Sequence, residues 1–281
     1  MTAMPDLSDR IALVTGASRG AGAAIAAVLG EAGATVYVTG RSSRAGARTD
    51  DMPGTVEDAA ADVSARGGTG IGVVCDHTDP AQVEALVARI EADHGRLDVL
   101  VNNAWGGYEQ YDGASFTAPF WEQPLERRWE RMFGAGVWPT MLTSHRAAPL
   151  LARDGLVACT IAWAQGAYTG SAFYDAAKAC IARFAFAMAH DLREREVTAV
   201  AIAPGFMRTE RVMAAHEENP FDLGQTESPE YLGRAIAHLA ADPDRQARTG
   251  ELLTAGDLAR VYGFTDVDGS QPEPFRIPSA S

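Results

Sequence analysis

Residues 15–22 read Thr-Gly-Ala-Ser-Arg-Gly-Ala-Gly and follow the apolar run Ile11-Ala12-Leu13-Val14. A short apolar run leading into spaced glycines fits a strand that enters a tight turn and then opens a helix. Gly16, Gly20 and Gly22 carry no Cβ to obstruct the turn or the close approach of a phosphate. The free N–H groups at the start of the following helix, around residues 21–24, attract negative charge. The stretch predicts a dinucleotide site at the first strand–helix turn.

The rest of the chain repeats the alternation. Strands are expected at 11–15, 35–39, 69–75, 97–102, 155–161, 197–203 and 250–254. These runs are apolar along their length, as parallel strands covered on both faces are. Helices are expected at 20–32, 55–66, 80–94, 125–151, 173–194 and 228–241. Gly33 and Gly95 read as helix stops, and Asp79-Pro80 as a cap followed by a first-turn proline. The expected fold class is α/β, a single Rossmann-type doubly wound domain with about seven parallel strands and helices on both faces. A length of 281 residues suits one such domain. Segments 104–124 and 205–227 follow strands at the sheet end where ligands bind and are read as substrate loops. From about residue 270 the chain, rich in Pro and Ser, is expected to be a loose tail.

A formal net charge of −13 disfavours nucleic acid and anionic membranes as partners. No apolar run approaches the ~20 residues of a membrane span. The first ten residues lack a signal-peptide pattern. Three cysteines, Cys75, Cys159 and Cys180, cannot build a disulfide framework, so a cytoplasmic location is expected. Six histidines without zinc-like spacing, and no Cys-x-x-Cys, give no expected metal site.

Tyr174 and Lys178 stand four apart at the start of an expected helix, which puts them on one face. A free tyrosine titrates near pH ~10. A neighbouring ammonium favours the phenolate and lowers that value. The pair is a candidate acid/base unit for reducing a carbonyl or oxidising an alcohol.

Four ordered motifs, TGASRGAG, Asn102-Asn103-Ala104, Tyr174-Asp-Ala-Ala-Lys178 and Pro204-Gly205, resemble the short-chain dehydrogenase/reductase family over about residues 8–258. Within it the chain is most similar to the member-1 subgroup of dehydrogenases/reductases. The cues are TVYVTGR at 35–41, VVCD at 73–76, GRLDVLVNNAW at 95–105, Phe120-Trp121-Glu122, the run from Asp257 to Gly263, and Asp266 to Gly269. The resemblance implies an NADP(H) cofactor. Gly16, Ser18, Arg19, Gly20, Ala21 and Gly22 would meet it in the glycine turn. NAD-preferring members usually carry an acid just past the second strand; Arg41, joined by Arg19 and Ser42, instead suits a 2′-phosphate. Asp76 and His77 match positions beside the adenine, and Asn103 and Ala104 the backbone passing its ribose. Lys178 would bond the nicotinamide ribose while tuning Tyr174. Pro204, Gly205, Phe206 and Thr209 match the carboxamide-holding segment, although Thr209 could equally cap a helix. Family members also associate as homodimers or homotetramers, which here would use helices 125–151 and 173–194.

Two members of the usual site are missing. Its serine lies about 13 residues before the tyrosine, where this chain has Ile161 or, on the strand alignment, Ala162. Its asparagine falls at Gly136, seven residues after Trp129. Thr160 shares a strand face with Ala162 but should lie roughly 6–7 Å deeper. Gln165 is the first-ranked stand-in for the serine, followed by Tyr168. Trp105, Tyr108, Trp163, Tyr168 and Phe206, with Ala162 and Gln165, outline an aromatic substrate pocket suited to a flat apolar molecule. At least two of the five aromatic residues are expected to pack beneath the loops. The expected activity is NADPH-dependent reduction of a ketone, quinone or similar carbonyl of a small hydrophobic molecule. Tyr174 would donate the proton and Lys178 support it. The alternatives are a non-redox cyclisation, dehydration or isomerisation, and a silent NADP(H) sensor.

Overall fold

In a computed structural model, which describes residues 3–46, 48–109, 113–162 and 168–275, seven parallel strands form one sheet. The strands are β1 (Ile11–Val14), β2 (Thr35–Gly40), β3 (Thr69–Val74), β4 (Leu97–Asn102), β5 (Leu151–Thr160), β6 (Thr198–Ala203) and β9 (Leu252–Thr254). Their order is β3-β2-β1-β4-β5-β6-β9. The chain steps outward from β1 to β3, then returns to place β4 on the other side of β1. That reversal opens a crevice beyond the carboxyl ends of β1 and β4, where ligands of such sheets bind.

Strand residues alternate between two cores, as a pleat requires. Ala12 and Val14 face the core under α1 (Gly20–Glu31), α2 (Val56–Ala65), α7 (Pro229–Ala241) and α8 (Ala255–Tyr262). Ile11 and Leu13 face the other, under α3 (Pro80–His94), a helical run α4 (125–147) and α5 (Ala172–Asp191). The start of α3 follows the expected chemistry: Asp79 accepts from Ala81 N at 2.9 Å and Pro80 opens the first turn. Gly95 ends it with φ +68°, a conformation glycine adopts without strain.

Several elements differ from expectation. The helix expected at 125–151 is the run α4, made of an α segment Leu125–Arg128, a π segment Trp129–Val137 and an α segment Trp138–Ala147. Strand β5 begins at Leu151, with a register shift against β4 between Leu97 and Val99. Within the loop expected at 205–227, β7 (Phe206–Met207) pairs with β8 (Thr226–Glu227), and α6 (Glu210–Glu218) lies between them. Helix α8 was also not expected; Thr254 caps it by accepting from Asp257 N at 3.0 Å.

Residues 271–275, within the segment expected to hang loose, are tied down. Gln271 donates to the carbonyls of Ala259 and Phe264 at 3.0 Å, Glu273 pairs with Arg260, and Phe275 reaches the crevice. Among the described residues no helix is long and apolar enough to cross a membrane, and no cluster of three metal-ligating side chains occurs.

Candidate active site

The crevice is a cleft of about 720 Å³, bordered by all of the sequence-predicted cofactor residues from Gly16 to Thr209. Its floor is drawn tight. Thr15 Oγ1 accepts from the backbone N–H groups of Asn103 and Ala104 at 2.9 Å. The Asn103 amide donates to the carbonyls of Thr15 and Gly16 at 3.1 Å. Gly16 has φ +64°, and a Cβ there would stand 2.7 Å from Ala104 Cα. A Cβ on Gly22 would overlap the Gly16 carbonyl. The turn closes as it does only because these positions are bare, and the residues present fit a dinucleotide.

Charged side chains at the cofactor end already have partners. Arg19 donates to Ser42 Oγ at 3.0 Å and to the carbonyls of Thr49 and Met52, pinning the chain after β2. Arg41 is ion-paired with Glu109, which also pairs with Arg131 at 3.0 Å. Glu210 accepts from the Gly20 N–H at 3.2 Å, at the N-terminus of α1. Two anion-attracting points of the cleft thus each face a carboxylate of this chain, one from each long loop. Thr209 acts as the cap of α6, accepting from Val212 N at 3.4 Å. The His77 imidazole is locked between Thr39 Oγ1 at 2.7 Å and Thr143 Oγ1 at 2.9 Å. Burial pulls it down to about 4, so it stays neutral and ties β2 to α4. Gly205 N donates to Glu227 Oε1 at 2.8 Å, and burial raises that carboxyl to about 7.

At the other end, Tyr174 and Lys178 occupy successive turns of α5. The Tyr174 ring lies among Trp105, Tyr108 and Phe116, at centroid distances of 5.6, 5.8 and 5.9 Å. The Tyr108 phenol beside it favours the Tyr174 phenolate. The four-residue spacing predicts that Lys178 lowers the Tyr174 pKa, but the net shift is upward. Burial outweighs the lowering by Tyr108, and Asp175 adds to the rise. Lys178 Nζ lies 5.8 Å from the Tyr174 centroid and 3.7 Å above the Trp105 ring. Burial pulls Lys178 down to about 7.

Lys178 is the sole lysine among the chain's 24 Lys and Arg residues. Arginine stays charged in proteins, whereas a buried lysine shifts its pKa readily. A chain that otherwise uses only arginine keeps a tunable amine at this one position. That compositional signal was open to sequence reading and was missed.

The expected stand-ins for serine separate. Ala162 borders the cleft. The Thr160 hydroxyl is turned toward Asn102 O at 3.3 Å and Asn103 Oδ1 at 3.4 Å, back into the strand end. Tyr168 is 58% exposed and does not border the cleft, because Thr169 ties the adjacent chain to Asp175. Trp163 and Gln165 lie outside the described residues. Phe206 lies at the opposite wall, 41% exposed, its ring 5.2 Å from that of Phe221.

The chain is similar to known proteins in sequence and in fold. The family model described as short chain dehydrogenase matches residues 10–220. Dehydrogenase/reductase SDR family member 1 of Mus musculus is 34% identical over 277 residues, covering 94% of this chain and 85% of the mouse protein. The 3-oxoacyl-(acyl-carrier-protein) reductase of Escherichia coli is 30% identical, covering 88% of this chain and 96% of its own. A solved putative dehydrogenase from Xanthomonas campestris superposes with a TM-score of 0.78 at 25% identity, covering 96% of this chain and 98% of that one.

Proposed function

This chain belongs to the short-chain dehydrogenase family, and we propose that it is an NADPH-dependent reductase of a carbonyl on a small, flat, hydrophobic molecule such as a ketone or quinone. The observation that carries the reading is the half-buried Tyr174 with the buried Lys178 one turn along, both lining a glycine-floored cleft. When bound, the cofactor supplies the hydride that goes to the carbonyl carbon. The chain's own residues do the rest. Tyr174, kept protonated by burial, gives its hydroxyl proton to the carbonyl oxygen as negative charge develops there. Lys178 supports the phenolate left behind when it is charged. Trp105, Tyr108 and Phe116 exclude water and offer apolar faces to the substrate.

Arg41 and Ser42, with no acid at 40–42, support NADPH over NADH. A relative named as a reductase of a 3-oxoacyl group is consistent with carbonyl chemistry. A homodimer or homotetramer built on α4 and α5 belongs to the same reading, since Trp129, Trp138 and Phe186 on those helices are at least 36% exposed. The free cysteines Cys75, Cys159 and Cys180 suit a reducing, cytoplasmic setting. The test is oxidation of NADPH, but not of NADH at equal concentration, with aromatic ketones and quinones. Tyr174→Phe should abolish it; undiminished turnover in that variant refutes the assignment.

A further inference from the structure

We propose that Tyr108 is a catalytic residue, its hydroxyl standing where the missing serine hydroxyl would polarise the substrate. The inference rests on the reading of Tyr174 as proton donor. Neither Ile161 nor Ala162 carries a donor, and Thr160 is turned to the strand end. Tyr108 borders the same cleft, its ring stacks on that of Tyr174 at 5.8 Å and 22°, and its phenol favours the Tyr174 phenolate. Two phenols therefore stand side by side at the wall of one cleft. A carbonyl oxygen that accepts from Tyr174 falls within reach of Tyr108 as well. The proton that moves is Tyr174's; Tyr108 only donates a hydrogen bond to the same oxygen, so it is neither consumed nor charged. A phenol also donates to an oxyanion without the entropy of a freely rotating chain, because its ring is held between Trp105, at 6.0 Å, and Phe116, at 6.2 Å.

Tyr108→Phe keeps the ring and removes the donor. We expect kcat to fall about 10²–10³-fold with NADPH affinity unchanged, and Ala162→Ser in that background to restore part of the loss. Full turnover in Tyr108→Phe beside an inactive Tyr174→Phe overturns the proposal and leaves the proton donor standing; activity in both overturns the underlying reading instead. A readout independent of turnover is the 13Cζ resonance of Tyr174, assigned with Tyr174→Phe. It should move in Tyr108→Phe although the stacked ring is retained, and an unmoved resonance also overturns the proposal.

The Lys178 end carries a separate observation. We infer that Trp105 is a positioning residue: its indole fills the volume that Gly136 leaves, and its face holds the Lys178 ammonium. A Cβ on Gly136 would stand 2.6 Å from Trp105 Cζ3, and one on Gly107 would press on the other part of the indole. The π segment of α4 turns the Ala135 carbonyl out to accept from Gly106 N at 2.8 Å, fixing the loop beside Trp105. Trp105 thus takes the room that the family's asparagine would occupy at Gly136, with an aromatic face in place of a polar amide. The titratable groups around Lys178 are Tyr174 on its own helix, Tyr108 from the loop, and Asp175, whose carboxylate is engaged by Thr169. Among the described residues no carboxylate acts on Lys178, and burial is the influence upon it.

Because the chain has one lysine, protein grown on ε-13C-lysine shows one side-chain signal whose titration reads this amine directly. In Trp105→Leu the midpoint should fall by roughly half to one pH unit, as an apolar side chain offers no π face. An unchanged or raised midpoint overturns the inference. Gly136→Asn should lower Tm in the parent and do so less in Trp105→Gly; equal losses deny that Trp105 takes this room.

Discussion

In the proposed function cofactor choice rests on Arg41, and in this structure Arg41 is held by Glu109. Binding a 2′-phosphate to Arg41 therefore means giving up an ion pair. Replacing the acid by its uncharged isostere, Glu109→Gln, should tighten NADPH and leave NADH unchanged. The size follows from the surroundings. Exposed ion pairs contribute about 0.2–1 kcal/mol. The Arg41 side chain is 39% exposed, but that of Glu109 is only 13% exposed and is shared with Arg131, which puts the pair at the upper end of that range. A cost of about 1 kcal/mol corresponds to roughly fivefold in Kd. Arg41→Gln acts in the opposite sense. A hydrogen bond to a charged group contributes about 1.5–3 kcal/mol, from which the lost Glu109 pairing subtracts about 1 kcal/mol. NADPH should weaken by about 2- to 30-fold. Isothermal titration of both variants with both cofactors, at about 0.1 M ionic strength, reads these differences while exposed charges are screened beyond ~10 Å. If Glu109→Gln leaves NADPH affinity unchanged, or tightens NADH equally, Glu109 does not compete for a phosphate site and the assignment of Arg41 fails.

Other outcomes follow from the same site. Tyr174, raised by burial, stays protonated across neutral pH, whereas Lys178 loses its proton near 7; the rate of carbonyl reduction, measured against pH at low substrate, should fall as pH rises through about 7. The same burial makes Lys178 a liability to the fold. Its folded pKa lies below the unfolded one, so the unfolded chain binds more protons between about 7 and about 10.5 and stability rises with pH there. Lys178→Met should raise Tm by a few degrees at pH 6–7, an advantage that shrinks as pH rises from about 7 and is gone above about 10.5, read by thermal denaturation at several pH values. Gly22→Ala should abolish NADPH binding in the titration and lower Tm, because its Cβ would overlap the Gly16 carbonyl.

Much of the fold was legible because each central strand is apolar along its whole length, and because the start of α3 is written in its Asp79-Pro80 pair. Helix α6 left no trace of that kind: none of its residues is buried, so no apolar stripe exists for periodicity to reveal. Helix α8 did carry a signal, Thr254 followed three residues later by Asp257 and then by Gly263, but it is short and lies beyond the last expected strand. The π segment of α4 depends on Gly106 and Trp105 reaching it from another loop, which no local pattern encodes. The site divides the same way. Its cofactor residues belong to contiguous motifs and could be named one by one. The partners that decide how they behave, Glu109 on Arg41 and Glu210 on Gly20, come from 68 and 190 residues away and exist only once the chain is folded. The reversed shift of Tyr174 has the same origin, since burial among aromatic neighbours brought from another loop outweighs the lowering by Tyr108.

The most direct test of the account is the decrease in nicotinamide absorbance when purified protein is mixed with NADPH and a panel of aromatic ketones and quinones, run beside Tyr174→Phe. The account predicts NADPH oxidation with at least one of these substrates, lost in the variant. Tight NADPH binding with no oxidation across the panel, or oxidation that survives Tyr174→Phe, would contradict it.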